Sequence, residues 1–193
     1  MKRFMPLLSA GLLLLLALGC SQDSRPSDSG SRLLSRDQVR ILTPQDFASK
    51  ARDIDALGDF SLSLVPGSAA VAEGEGYRLS APAGAVTQPV TIQANWLGDE
   101  AAPEIGFDFS PQGLEFAQPL SFQITLPLKP EDVPAGSELM VLYDREDGWY
   151  EEVSNEVHWR TVDDKAILDA PLEHFTKYLI GTGPPPDDDP GNN

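Results

Sequence analysis

Phe60-Ser-Leu-Ser-Leu64 alternates apolar and polar side chains at every step, and Val90-Thr-Ile-Gln-Ala-Asn-Trp96 continues the habit further along the chain. A strand sends successive side chains to opposite faces, so a period of two predicts strands with one buried face and one wet face. Similar short runs recur at Tyr77–Ser80, Ile105–Phe109, Leu120–Leu126, Leu139–Tyr143, Trp149–Val153, Val157–Val162, Ala166–Leu168 and Tyr178–Ile180. Gly, Pro, Asp and Asn punctuate them at even spacing. Many short strands with turn signals between them predict an all-β antiparallel sandwich or barrel over residues 59–180, of which we take the sandwich, not βαβ units.

Asp147-Gly148, set between two apolar runs, is the clearest hairpin turn, and Val162-Asp163-Asp164-Lys165 is a weaker one. Trp96, Phe107, Phe109, Phe122, Tyr143, Trp149 and Trp159 are the large side chains expected to fill the core.

Upstream the period changes. Residues 43–58 predict one short amphipathic helix, with Thr43 as N-cap, Pro44 at the first helical position and Asp46 closing a capping box. Phe47, Ala51, Ile54 and Leu57 then fall on one face, and Gly58 ends the segment. That stripe packs on the following domain or, as the alternative, meets a partner. Residues 20–42 read as a flexible spacer, because Ser21–Arg32 has almost no apolar side chain to bury. Residues 181–193, with four prolines and Asp187–Asp189, read as a disordered acidic tail.

The chain begins with Lys2 and Arg3, then an apolar segment that ends Leu12–Cys20, LLLLLALGC, on the only cysteine. Spanning a bilayer takes about 20 apolar residues, so this run is short for a membrane helix and has the form of a signal peptide over residues 1–19. Ala17-Leu18-Gly19-Cys20 resembles the bacterial lipobox. The resemblance implies cleavage before Cys20, acylation of its thiol and amine, and attachment to a membrane through lipid. Ser21 in second place, where aspartate would retain the protein, implies sorting to the outer membrane of a Gram-negative bacterium. Several acyl chains anchor stably where one would be marginal, at about 0.8 kcal/mol per buried methylene.

Charge narrows the partners. The chain has 14 basic and 30 acidic residues, a net of −16, and residues 58–193 alone contain six basic and 24 acidic ones. Such a domain is repelled by nucleic acid and by anionic headgroups. A basic envelope protein or calcium fits the sign, and solubility alone would also account for it. No cofactor signature is present, and two histidines without a cysteine pair make no structural zinc site.

Three segments resemble the ZU5 domain, a β-sandwich of eukaryotic adaptors and bacterial surface proteins. They are Leu79–Val86 (LSAPAGAV), Phe109–Pro127 (FSPQGLEFAQPLSFQITLP) and His174–Ile180 (HFTKYLI), in the family's order. The resemblance implies a Greek-key sandwich; where the family's first strand usually starts with Gly-Gly, this chain departs from the pattern and offers Val71-Ala-Glu-Gly74. Some ZU5 relatives cleave themselves at His-Phe-Ser, and the matching residues here are His174, Phe175 and Thr176. A threonine hydroxyl can also attack the preceding carbonyl when a base is near. The competing reading is structural, with Phe175 in the core and His174 at a strand start.

The functional expectation is a non-catalytic binding module displayed on the outer membrane. The alternatives are a structural component of an envelope or secretion assembly, and a hydrolase using paired carboxylates. Against an enzyme stand the absence of G-x-S-x-G, of metal-spaced clusters and of a phosphate loop, with His158 and His174 the only imidazoles.

Overall fold

A computed structural model describes residues 32–186 except 51–53, 55–56, 99–101, 146 and 155. The signal, Cys20, Ser21 and Asp187–Asp189 lie outside the described residues. Among the described residues the strands are β1 Leu33–Ser35, β2 Arg40–Ile41, β3 Phe60–Leu64, β4 Ala70–Gly74, β5 Tyr77–Ala81, β6 Val90–Trp96, β7 Gly106–Ser110, β8 Glu115–Leu126, β9 Glu138–Asp144, β10 Trp149–Glu152, β11 Glu156–Arg160, β12 Lys165–His174 and β13 Lys177–Gly183. They form two antiparallel sheets packed as a sandwich. One has eight strands in the order β1-β10-β9-β13-β7-β6-β3, with β2 also on β13; the other has five, β11-β12-β8-β5-β4.

The alternating segments behave as their period predicts. In β6, Ile92 and Ala94 are buried while Thr91, Gln93 and Asn95 face solvent. Asp147-Gly148 closes the β9–β10 hairpin, with Gly148 at φ 95° and the Arg145 N–H bonded to the Trp149 carbonyl at 3.2 Å. That positive φ favours glycine, which has no Cβ to clash. Asp164, at φ 55°, turns β11 into β12. Where a strand ran longer than its apolar pattern, pairing explains it: β12 continues to His174 because β8 lies beside almost all of it.

The core is aromatic at its centre. Phe109 stacks on Phe175 at 5.0 Å and meets Phe122 and Tyr178 edge-on at 5.3 and 5.9 Å. Phe107 adds contacts to Phe122 and Trp96. Phe107, Phe109 and Phe122 are wholly buried, as expected, whereas Trp96, Tyr143 and Trp159 are half-buried at the core's margin. Trp149 is a correction: it is 45% exposed, and its neighbour Tyr150 is the buried residue.

Three boundaries also differ from the sequence reading. Residues 32–42 are not spacer but fold, with β1 on the outer strand β10 and β2 on β13. Residues 36–39 therefore run as a strap across β10, β9 and β13. Beneath and beside the strap Leu34, Met140, Leu142, Tyr150 and Leu179 form a second small core on the outer face of the wide sheet. The tail begins after Gly183, since Gly181–Gly183 continue β13. Over Pro44–Lys50 the predicted helix is a 3-10 helix, because the Asp46 N–H bonds to the Thr43 carbonyl three residues back, at 3.0 Å. The reciprocal Asp46 carboxylate does accept the Thr43 N–H at 2.8 Å, as in a capping box. Phe47, Ile54 and Leu57 enter the main core, which accounts for their stripe by packing.

Polar groups fasten the strap. Arg36 lies 5.4 Å above the Tyr150 ring and 3.3 Å from Asp144, and Lys177 bridges Glu104 at 2.8 Å and Asp144 at 3.7 Å. Burial pulls the Lys177 ammonium down, yet its bond to Glu104 and the two carboxylate charges outweigh that and hold it above the ordinary lysine range. Asp144 is thus a buried strand residue holding the strap.

Candidate binding surface

The two sheets differ in width, and that difference builds the most distinctive surface. One transverse row on the inner face of the wide sheet reads Leu33, Glu151, Tyr143, Tyr178, Phe107 and Trp96. Its far members lie under the narrow sheet and are core. At Tyr143 the cover runs out, because β11 pairs with β12 only over Lys165–Asp169 and leaves Ala170–His174 as the margin. The row continues past that margin into solvent. Leu33 is 51% exposed there, and Trp149, one row along the same face, stands beside Ser35.

An overhanging shelf results. Its floor is Leu33, Tyr143 and Trp149, with Glu151 between them in the row. Its back wall is His174, whose ring meets Tyr143 edge-on at 4.6 Å. Its rim is charged: Arg145 reaches Asp147 at 3.3 Å and Glu151 at 3.8 Å, and Glu173 is exposed at the end of β12. Isolated exposed apolar residues are ordinary on protein surfaces; an adjacent Leu and Trp on one uncovered sheet face are more informative. A separate groove of about 540 Å³, lined by Val133, Pro134, Glu138, Leu139, Val157 and Trp159 among others, runs beside β11.

Behind the shelf lies the corner His174-Phe175-Thr176, which joins β12 to β13. The Tyr178 hydroxyl donates to the His174 carbonyl at 2.7 Å, and burial pushes that phenol far above its ordinary range, so it stays a donor. The carbonyl oxygen of Phe175, the residue whose carbonyl carbon a Thr176 hydroxyl would attack, accepts the Gly113 N–H at 3.1 Å. Phe175 is 1% exposed and stacks on Phe109. These contacts suit a packed corner. No non-glycine residue of the corner has a positive φ, so no such strain loads the peptide bond before Thr176. Purified protein is therefore expected to give one intact mass; fragments breaking before Thr176 would assign self-cleavage instead.

The three segments that carry the ZU5 resemblance converge at this end of the sandwich. Ala117 donates to the Ala85 carbonyl at 3.0 Å, Phe175 to Leu114 at 3.0 Å, and Phe109 to Thr176 at 3.1 Å. Phe116 packs edge-on against Phe175 at 4.7 Å. Gly84, at φ 88°, supplies the left-handed turn residue after Pro82. No family model matches the chain, and none of the curated proteins matches it.

Among the described residues, no three of His, Cys, Asp and Glu lie together in a way that could hold a metal ion. No described helix is long and apolar enough to cross a membrane. The shelf was only partly legible in sequence. The period of two assigns Trp149 and Glu151 to one face, but nothing local says that the opposite sheet stops short of them. The His174 ring, which the sequence offers for cleavage chemistry, stands at the back of the shelf against Tyr143.

Proposed function

We propose that this chain is an outer-membrane lipoprotein presenting a ZU5-like β-sandwich as a non-catalytic interaction module. The observation that carries the reading is the anchor sequence LLLLLALGC ending on the sole cysteine, followed so closely by fold. Twelve residues separate Arg32 from Cys20 by number, and a fully extended chain rises about 3.3–3.6 Å per residue, so the fold starts within roughly 40 Å of the acylated residue. Anchor and fold are joined through the strap. Arg32, at its start, pairs with Glu152 at 2.9 Å and donates to the Pro184 carbonyl at 2.8 Å, so the chain enters and leaves the sandwich at one place. The convergence of the three motif segments favours the ZU5-like assignment, and the overhanging shelf favours binding over catalysis because it is an open surface and not an enclosed cleft.

Membrane fractionation tests the anchor. The native chain is expected with the outer membrane and to incorporate labelled palmitate. Cys20→Ala is expected to abolish labelling and leave uncleaved precursor, because the lipobox peptidase acts on the acylated cysteine. A Cys20→Ala chain processed and located like the native one would sink the proposal.

A further inference from the structure

We infer that the shelf formed by Leu33, Tyr143, Trp149, Glu151 and His174 binds an arginine-bearing extended segment of a basic partner protein. The inference rests on the reading of the chain as an interaction module and names the chemistry of what the module takes.

Three observations select the occupant. First, the shelf pairs exposed aromatic surface with carboxylates. Trp149 is 45% exposed, Glu151 follows it on the same face of β10, and Glu173 is exposed at the end of β12. Aromatic faces attract cations, and a guanidinium both stacks on a ring and forks onto a carboxylate. Second, the protein already places a guanidinium of its own there: Arg145 sits between Asp147 and Glu151, at 3.3 and 3.8 Å. On the opposite face of the same hairpin, Arg36 lies over Tyr150 beside Asp144. An aromatic ring next to a carboxylate thus already receives an arginine on the outer face of β10, and the carboxylates of the shelf already receive one on the inner face. Third, the long-range field agrees. With a net charge of −16 the chain attracts cationic segments and repels a second copy of itself, anionic lipid and nucleic acid. The margin of β12 would not favour backbone pairing, since Pro171 lies on it and has no N–H to donate. Recognition is therefore carried by side chains on the shelf.

The test uses the full mature lipidated chain in a non-ionic detergent and three labelled octapeptides, read by fluorescence anisotropy. They are alternating arginine-serine, alternating lysine-serine, and the neutral citrulline-serine analogue. Arginine-serine is expected to bind severalfold more tightly than lysine-serine, with citrulline-serine not binding. Trp149→Ala and Glu151→Gln are each expected to weaken it by about tenfold. Glu73→Gln, which removes the same charge on the outer face of the narrow sheet, is expected to change it less than about twofold. All four proteins should melt alike, because Trp149, Glu151 and Glu73 are not core residues.

Equal losses from Glu151→Gln and Glu73→Gln would reduce the effect to bulk charge and overturn the inference. So would full binding by Trp149→Ala, or a neutral oligosaccharide that binds through Trp149 where the peptides do not. A chain that fractionates with the outer membrane but binds no peptide would keep the anchoring proposal and remove this one. A chain found soluble in cells that binds arginine-serine through Trp149 would do the reverse.

Discussion

Phe109→Ala is expected to destabilise the sandwich by about 3–5 kcal/mol, the range for removing a buried phenylalanine and leaving a cavity. Phe109 is wholly buried, and its ring contacts Phe60, Phe107, Phe122, Phe175 and Tyr178. Those partners belong to β3, β7, β8, the β12–β13 corner and β13, so both sheets lose a shared contact together. None of them can collapse into the space without breaking its own strand register, which puts the cost toward the upper end. A domain has only about 5–15 kcal/mol of stability in total, so the loss is a large share of it. For a domain of this size the melting temperature should fall by roughly 10 °C. Thermal unfolding followed by circular dichroism measures this, with Phe109→Leu as the milder comparison. A fall of only a degree or two would mean that the ring cluster is not the keystone its contacts imply.

Gly181→Val is expected to detach the strap while leaving the sandwich folded. A Cβ at Gly181 would lie 2.8 Å from Leu142 Cδ1, 3.0 Å from the Arg40 carbonyl oxygen and 3.3 Å from Val39 Cγ1. Leu142 can turn aside, but the Arg40 oxygen is backbone in the β2–β13 pairing and must move as a unit. Two residues on, a Cβ at Gly183 would crowd Met140 at 3.1 Å, so β13 is bare along the line where the strap crosses. Lifting the strap would uncover the small outer core, where Leu34 and Leu142 are now 2% and 0% exposed. At about 1.5–3 kcal/mol for each buried leucine, the variant should lose roughly 3–6 kcal/mol. Trypsin provides the local readout. Arg36 lies in the strap and Arg40 follows it in β2, and the native protein should resist cleavage after them while Gly181→Val is cut there first. Equal resistance in both proteins would show that the crossing tolerates a side chain.

How much of this was visible beforehand depends on whether the information was local. The strands Phe60–Leu64 and Val90–Trp96 were legible with their boundaries, because a half-buried strand writes its two faces into neighbouring residues. The hairpin at Asp147-Gly148 was legible for the same reason, since turn chemistry sits in the turn itself. β1 and β2 were not. At three and two residues they are too short to show any period, and they sit in polar surroundings that read as spacer. What holds them is β10 for the first and the bare stretch of β13 around Gly181 and Gly183 for the second, both far along the chain. The same separation hid the role of Asp144, whose strap partner Arg36 comes from the opposite end of the domain.

The sequence by itself determined the class of fold, the faces of its strands, the surplus of negative charge and the cysteine from which the anchoring proposal starts. Each of these is a property of composition or of near neighbours. Tertiary structure decided which inward-facing residues are actually buried. Trp149 and Phe107 both point to the inner side of the wide sheet, yet one is 45% exposed and the other is core. Only the width of the facing sheet separates them. β11 stops at the partner of Asp169, and no residue near Trp149 records where that strand will end.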